Sequence, residues 1–305
     1  QVFRGQTPVS REVTEGSGRL TLAKFLADGK HGLAARVYVN RLWQWVFGQG
    51  LVRTPSDFGR LGELPSHPRL LDHLAREFIR GGWSTRSMLK RLVLSRVFRQ
   101  SGVVAERARE HYPSNRLLHH FATRRLEAEA IRDSLLAVSG RLDPKLFGRP
   151  INPHRHVEDG AKRLYSGPLD GHGRRSIYLN VSIMAPSTFL LNFNFPDPKL
   201  PAGRRDVTNV PAQALVLMNN PFVVSLADHW ASELVQDGSA SPPDRIERMF
   251  VRALGRVPSA SESREWVQLA NTLAGPGVSD VMKDQATWKD VAHTLINTKE
   301  FLYFR

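Results

Sequence analysis

NRLWQWVFGQGLVRTPSDFGRLGELPSHPRLLDHLAREFIRGGWS, residues 40–84, alternates helix signals with helix-breaking loops, and its reading decides the fold class. From Leu33 to Phe47 apolar residues recur at Ala34, Val37, Tyr38, Leu42, Trp45 and Val46, which is helical spacing, and Gly48 and Gly50 close the helix. The next stretch cannot continue it, because Pro55, Gly59, Gly62 and Pro65 interrupt any helix. It reads as an ordered loop held by Leu51, Phe58 and Leu64. Ser66 or His67 then caps a second helix with Pro68 in its first turn, where a missing N–H costs nothing. Leu71, Leu74, Ala75 and Phe78 form its inner stripe. Gly81 and Gly82 end it, and Ser84 caps a third helix that turns Met88, Leu89, Leu92 and Val93 inward.

Upstream, residues 1–19 are polar and read as a linker or arm, and a short helix is expected between Leu20 and Gly32. Downstream, residues 99–116 read as a mobile connection, followed by the clearest helix, Thr123–Gly140, with Leu126, Ala130, Ile131, Leu135 and Val138 on one side. Residues 143–175 are rich in Pro, Gly and His and mark the natural seam between a basic helical half, 20–142, and a second half, 143–305, unless 20–305 is one continuous domain. RRSIYLNVSI has the β-branched alternation of a strand. Helices return at 211–219, 221–236, 243–255, 259–274 and 287–304. The expected fold is mainly α, a multi-helix orthogonal bundle with long ordered loops and a small β element near residues 174–183.

The 305 residues carry 43 Lys and Arg against 29 Asp and Glu, a net charge of +14. Residues 1–150 account for 26 of the cations and 13 of the anions, so the basic field belongs to the N-terminal half and suits a polyanionic partner. Solvated helix faces in an arginine-rich chain account for the same count. There is no cysteine, which excludes disulfides, thiolate zinc sites, a cysteine nucleophile and covalent haem attachment within this chain. No cofactor is expected in it. No apolar run approaches the roughly 18–20 residues of a membrane helix, and the opening at Gln1 lacks the pattern of a signal peptide, so the sequence reads as a soluble piece of a longer protein.

P-loop, nucleophile-elbow and dinucleotide fingerprints are absent. The polar residues of the long loops, Arg53, Asp57, His67, Arg174, Arg175, Arg204 and Arg205, are the candidate lining of an anion-binding cleft between the halves. The two Gly-Arg-Arg turns equally suit a structural role, tying loops to acidic helix ends at Glu127, Glu129 or Asp133. His154 and His156 lie two apart in NPHRHVEDG, with His172 further on, and are the candidate metal ligands. His119 and His120 read as surface residues. The helices on either side of Gly81–Gly82 have helix-turn-helix form, with Arg86, Lys90, Arg91, Arg96 and Arg99 on or after the second.

The block ARVYVNRLWQWVFGQGLVRTPSDFGRLGELPSHPRLLDHLAREFIRGGWSTRSMLKRLVLSRVFRQS resembles the opening motif of planctomycete-specific domain one, a family of unknown function. NRLLHHFATRRLEAEAIRDSLLAVSGRLD, GRRSIYL, FNFPDP, GRRDVTNVPAQALVLMNNPFV and TLINTKEFLYFR fit later blocks of it. Asp206 and Asn209 depart from the pattern, where Asn and Thr are expected. The resemblance implies the C-terminal module of a large exported protein of planctomycetes and related bacteria, following a cytochrome-c-like domain that holds the haem. It brings no established activity or catalytic residue. The expected function is a non-catalytic interaction module of the cell envelope whose partners are neighbouring domains or an anionic glycan. The alternatives are a hydrolase acting on anionic polysaccharide and, less suited to an exported protein, electrostatic nucleic-acid binding.

Overall fold

Thirteen α-helices lie among the residues that a computed structural model describes, 16–28, 31–239 and 241–304. Most of the expected arm, residues 1–15, lies outside the described residues. The chain divides into two compact units, one running to Arg124 and the other from Arg125 to Phe304.

The first unit contains α1 (Arg19–Ala27), α2 (Ala34–Phe47), α3 (Pro68–Arg80), α4 (Thr85–Val93) and α5 (Glu106–His111). Helix α2 packs on both α3 and α4. The core joins Val39, Leu42, Trp43, Val46 and Phe47 of α2 to Leu71, Leu74 and Phe78 of α3 and Met88 and Leu92 of α4. Trp43 lies against Phe47 with ring centroids 4.2 Å apart, and Trp83 meets the edge of Phe78. Trp45, expected on the inner stripe, is 60% exposed, whereas Trp43 is 4% exposed. At 100° per residue Trp45 falls roughly a third of a turn from the centre of the buried stripe. Val93 is likewise exposed, and residues 99–116, read as a mobile connection, contain the short helix α5.

The second unit contains α6 (Ala128–Val138), α7 (Thr188–Asn192), α8 (Pro211–Asn219), α9 (Pro221–Gln236), α10 (Pro242–Leu254), α11 (Ala260–Ala274), α12 (Gln285–Ile296) and α13 (Lys299–Leu302). Its core is built on α9 and α12, with Trp230 and Trp288 fully buried. Ile131, Leu135 and Leu136 of α6 join this core, so the helix that the sequence reading counted with the basic half packs in the second unit. The clear helix starts at Ala128 instead of Thr123, because Arg124–Arg125 is extended as β1 and pairs with β2, Tyr303–Phe304. The expected helix 287–304 is broken at Thr298, whose hydroxyl caps α13. No strand forms over 174–183; residues Ser176–Tyr178 make a 3₁₀ turn flanked by isolated bridges at Arg174 and Leu179. The fold is mainly α, and its small β element lies at the two-stranded β1–β2 sheet. Among the described residues no helix is long and apolar enough to cross a membrane.

Candidate functional site

The loop after α2 is ordered by one buried amide. Asn40 donates from Nδ2 to the Val52 carbonyl at 3.0 Å and accepts from the Val52 N–H at 2.9 Å. Gly50 lies so close that a Cβ there would sit 2.7 Å from the Asn40 Nδ2. Thr54 accepts from Glu63 N–H and donates to the Asp57 carbonyl, and a Cβ on Gly62 would collide with that same carbonyl. The Asp57 carboxylate accepts from the Gly59 N–H at 2.7 Å, a turn-closing role. Arg53 donates to the Ser114 carbonyl at 3.1 Å. His67 occupies the N-cap position of α3 without capping it, its Nδ1 3.0 Å from the Ser66 hydroxyl. His119 and His120, read as surface, are half-buried: both ring nitrogens of His119 and Nδ1 of His120 are buried without partners, and burial, then the neighbouring His119, pushes the His120 imidazole down.

The Gly-Arg-Arg turns belong to the second unit. Arg174 is buried, donates to the Lys145 and Phe147 carbonyls at 2.8 and 2.6 Å, and stacks 3.9 Å over the Tyr178 ring. The Arg175 Nε is 3.7 Å from Asp133, which also accepts from the Ser176 N–H and hydroxyl at 2.7 Å. Arg205 grips Glu129 with both Nη atoms at 2.5 and 2.9 Å and lies 3.5 Å from Glu127, and the Glu129 hydrogen bond raises its already high pKa. Arg204 is exposed. Through Arg175 and Arg205 these turns thus tie loops to α6, with Glu127 and Glu129 at its N-terminal end and Asp133 at its middle as their anions. The seven candidate cleft residues fall in the two units: Arg53, Asp57 and His67 in the first, the four arginines in the second.

His154 and His156 stand edge to face, ring centroids 5.6 Å apart, while His172 is in a left-handed turn with its N–H held by Asp170. Among the described residues no three His, Asp or Glu side chains converge as metal ligands.

Two arginines that the sequence reading did not single out hold the second unit's loops. Arg125 donates to Gln213 Oε1 at 2.8 Å, Asn194 Oδ1 at 2.6 Å and the Phe193 carbonyl at 3.2 Å, and burial lowers its pKa against the opposing pull of Tyr303. Arg132 donates to the Arg174 and Asp170 carbonyls, each at 2.9 Å. Its burial lowers its pKa, while Asp133 and Asp170 raise it. The available signal for Arg132 is a cation sharing a helix face with Ala128, Leu135 and Leu136, where an apolar residue is expected.

A model of the family described as "Protein of unknown function (DUF1553)" matches residues 18–270, most of the chain. The chain belongs to this family, PSD1. No curated protein and no solved structure matches the sequence. The family carries no assigned activity, so any function for a PSD1 chain is argued from its surfaces.

Proposed function

We propose that this chain is a non-catalytic interaction module whose first unit docks on an anionic partner. The observation that carries this is where charge stays uncommitted. Residues 1–124 hold 21 Lys and Arg against 9 Asp and Glu. Arg69, Arg76 and Arg80 of α3 and Arg86, Lys90 and Arg91 of α4 are exposed, and among the described residues Glu77 is the anion that reaches this group, pairing with Arg80 and Arg91. In the second unit, by contrast, Arg174, Arg205, Arg245 and Arg256 are engaged by carbonyls or carboxylates of the unit itself.

The PSD1 resemblance supports an exported parent protein that also carries a cytochrome-c-like domain. In that setting the exposed guanidinium groups face an envelope glycan bearing carboxylate or sulfate, or an acidic neighbouring domain. Binding should weaken steeply with salt, because each paired cation releases counterions or is screened.

The test is retention of the chain on immobilised heparin and alginate across a salt gradient. The triple variant Arg86→Gln, Lys90→Gln, Arg91→Gln should elute at markedly lower salt than the parent. Equal elution of the two, or no retention at low salt, overturns the proposal. Tighter retention on duplex DNA than on either glycan favours the nucleic-acid alternative, and release of new reducing ends from alginate favours the hydrolase.

A further inference from the structure

Within the second unit a recess opens over the buried Arg132. Phe189 and Phe222, packed edge to face, form one apolar wall, and His154, His156 and the exposed Thr188 stand around it. Among the described residues no Asp or Glu lines it. The enclosed space is ≈ 60 Å³, several times what one water needs, and takes a group of about four to six heavy atoms.

The guanidinium beneath it is partly occupied. Nη1 donates to the Arg174 carbonyl and to the Ser176 hydroxyl at 3.3 Å, and Nη2 donates to the Asp170 carbonyl. A guanidinium has five N–H donors, so one on Nη2 and the one on Nε remain. Gly171 forms the wall beside Nη2, at φ +64°, and a Cβ there would lie 2.7 Å from Nη2. Glycine at this position keeps the fork open to the recess.

We infer that this recess binds a small organic monocarboxylate, with its carboxylate on the Arg132 fork and its short apolar body against the Phe189–Phe222 pair, whose rings meet edge to face with centroids 5.3 Å apart. Charge selects the monoanion. Among the described residues Arg132 is the one cation in the lining, with Asp133 3.7 Å from its Nη1, so the second charge of a dianion such as phosphate has no counter-charge there. The Arg132 guanidinium and the absence of a lining carboxylate select against cations. The recess lies wholly in the second unit and is independent of the cationic faces of α3 and α4.

The experiment is an NMR titration of the whole chain with butyrate, butyramide, acetate and inorganic phosphate, following the His154 and His156 imidazole resonances. Butyrate should saturate, and butyramide should bind roughly tenfold weaker or worse, because it has no charge for the guanidinium. Acetate should bind weaker by roughly an order of magnitude, for two methylenes lost from the Phe189–Phe222 wall. Thr188→Trp, a substitution at an exposed position on the rim, should abolish the saturable shifts while leaving the thermal melt in place. Arg132→Lys keeps the charge but loses the fork and should weaken butyrate. The inference is overturned if butyrate shifts do not saturate, if butyramide binds equally, if phosphate binds more tightly, or if the folded Thr188→Trp chain still binds butyrate.

Discussion

Trp43 and Trp45 are two residues apart on one helix and have opposite fates. Trp43 is buried against Phe47, so Trp43→Ala should cost about 3–5 kcal/mol in urea unfolding of the first unit. Trp45→Ala, at a mostly exposed position, should change stability by no more than about 0.5 kcal/mol. Asn40→Ala strands the buried Val52 N–H and carbonyl and should cost about 1–3 kcal/mol by the same measurement. In the second unit Arg256 binds Glu262 and Glu300 at 2.6–2.9 Å, and its hydrogen bonds hold the Glu262 carboxyl at about 2, against its ordinary 4.5. A carboxyl whose folded pKa is depressed contributes stability that is whole above 4.5 and is lost as pH falls from there toward 2. The midpoint of urea unfolding should therefore drop across that window, and Glu262→Gln should flatten the drop. His120 acts in the same direction at higher pH: its lowered pKa means the unfolded chain takes up the proton first, so stability falls as pH drops below the usual histidine range.

At the level of elements, some helix starts were legible from a local cap, as at Ser84 and Ser259, whereas the cap at Thr298 lies inside the expected helix 287–304. Ser84, Ser241 and Ser259 each accept from the N–H three residues on, and Ser259 with Glu262 completes a capping box. Ser259→Ala should lower stability by about 1 kcal/mol and increase amide exchange in the first turn of α11. Pro68, Pro211, Pro221 and Pro242 sit in first turns for the same local reason. RRSIYLNVSI misled because alternation describes side chains and not partners. Its residues find Asp133, Lys145 and Phe147 as hydrogen-bond partners in place of a neighbouring strand, so a 3₁₀ turn forms. Conversely, Arg124–Arg125 carries no strand signal and pairs with Tyr303–Phe304, which lie far along the chain.

At the scale of the molecule, the described residues form two hydrophobic cores, one on α2, α3 and α4 and one on α9 and α12. Each core belongs to its own unit, so denaturant unfolding followed by residue-resolved probes should show separable responses: Trp43→Ala should lower the midpoint reported from α2–α4 and leave that of α9–α12 nearly unchanged. A single shifted transition at all probes would contradict this. The cationic excess follows the same division, and this places the anion-docking proposal on the first unit and the monocarboxylate recess in the second.

Sequence by itself determined the helical class, the family, the helix starts at Ser84 and Ser259, the lack of cysteine chemistry and the sign and rough location of the charge, because these depend on residues within a few positions of one another or on composition alone. Tertiary structure decided which tryptophan is buried, where the chain divides, that Arg205 serves Glu129, and that Arg132 lies beneath a recess. Each of these depends on groups brought together from distant parts of the chain. For a charged side chain, the partner it finds there determines whether its charge is spent within the fold or left for a ligand.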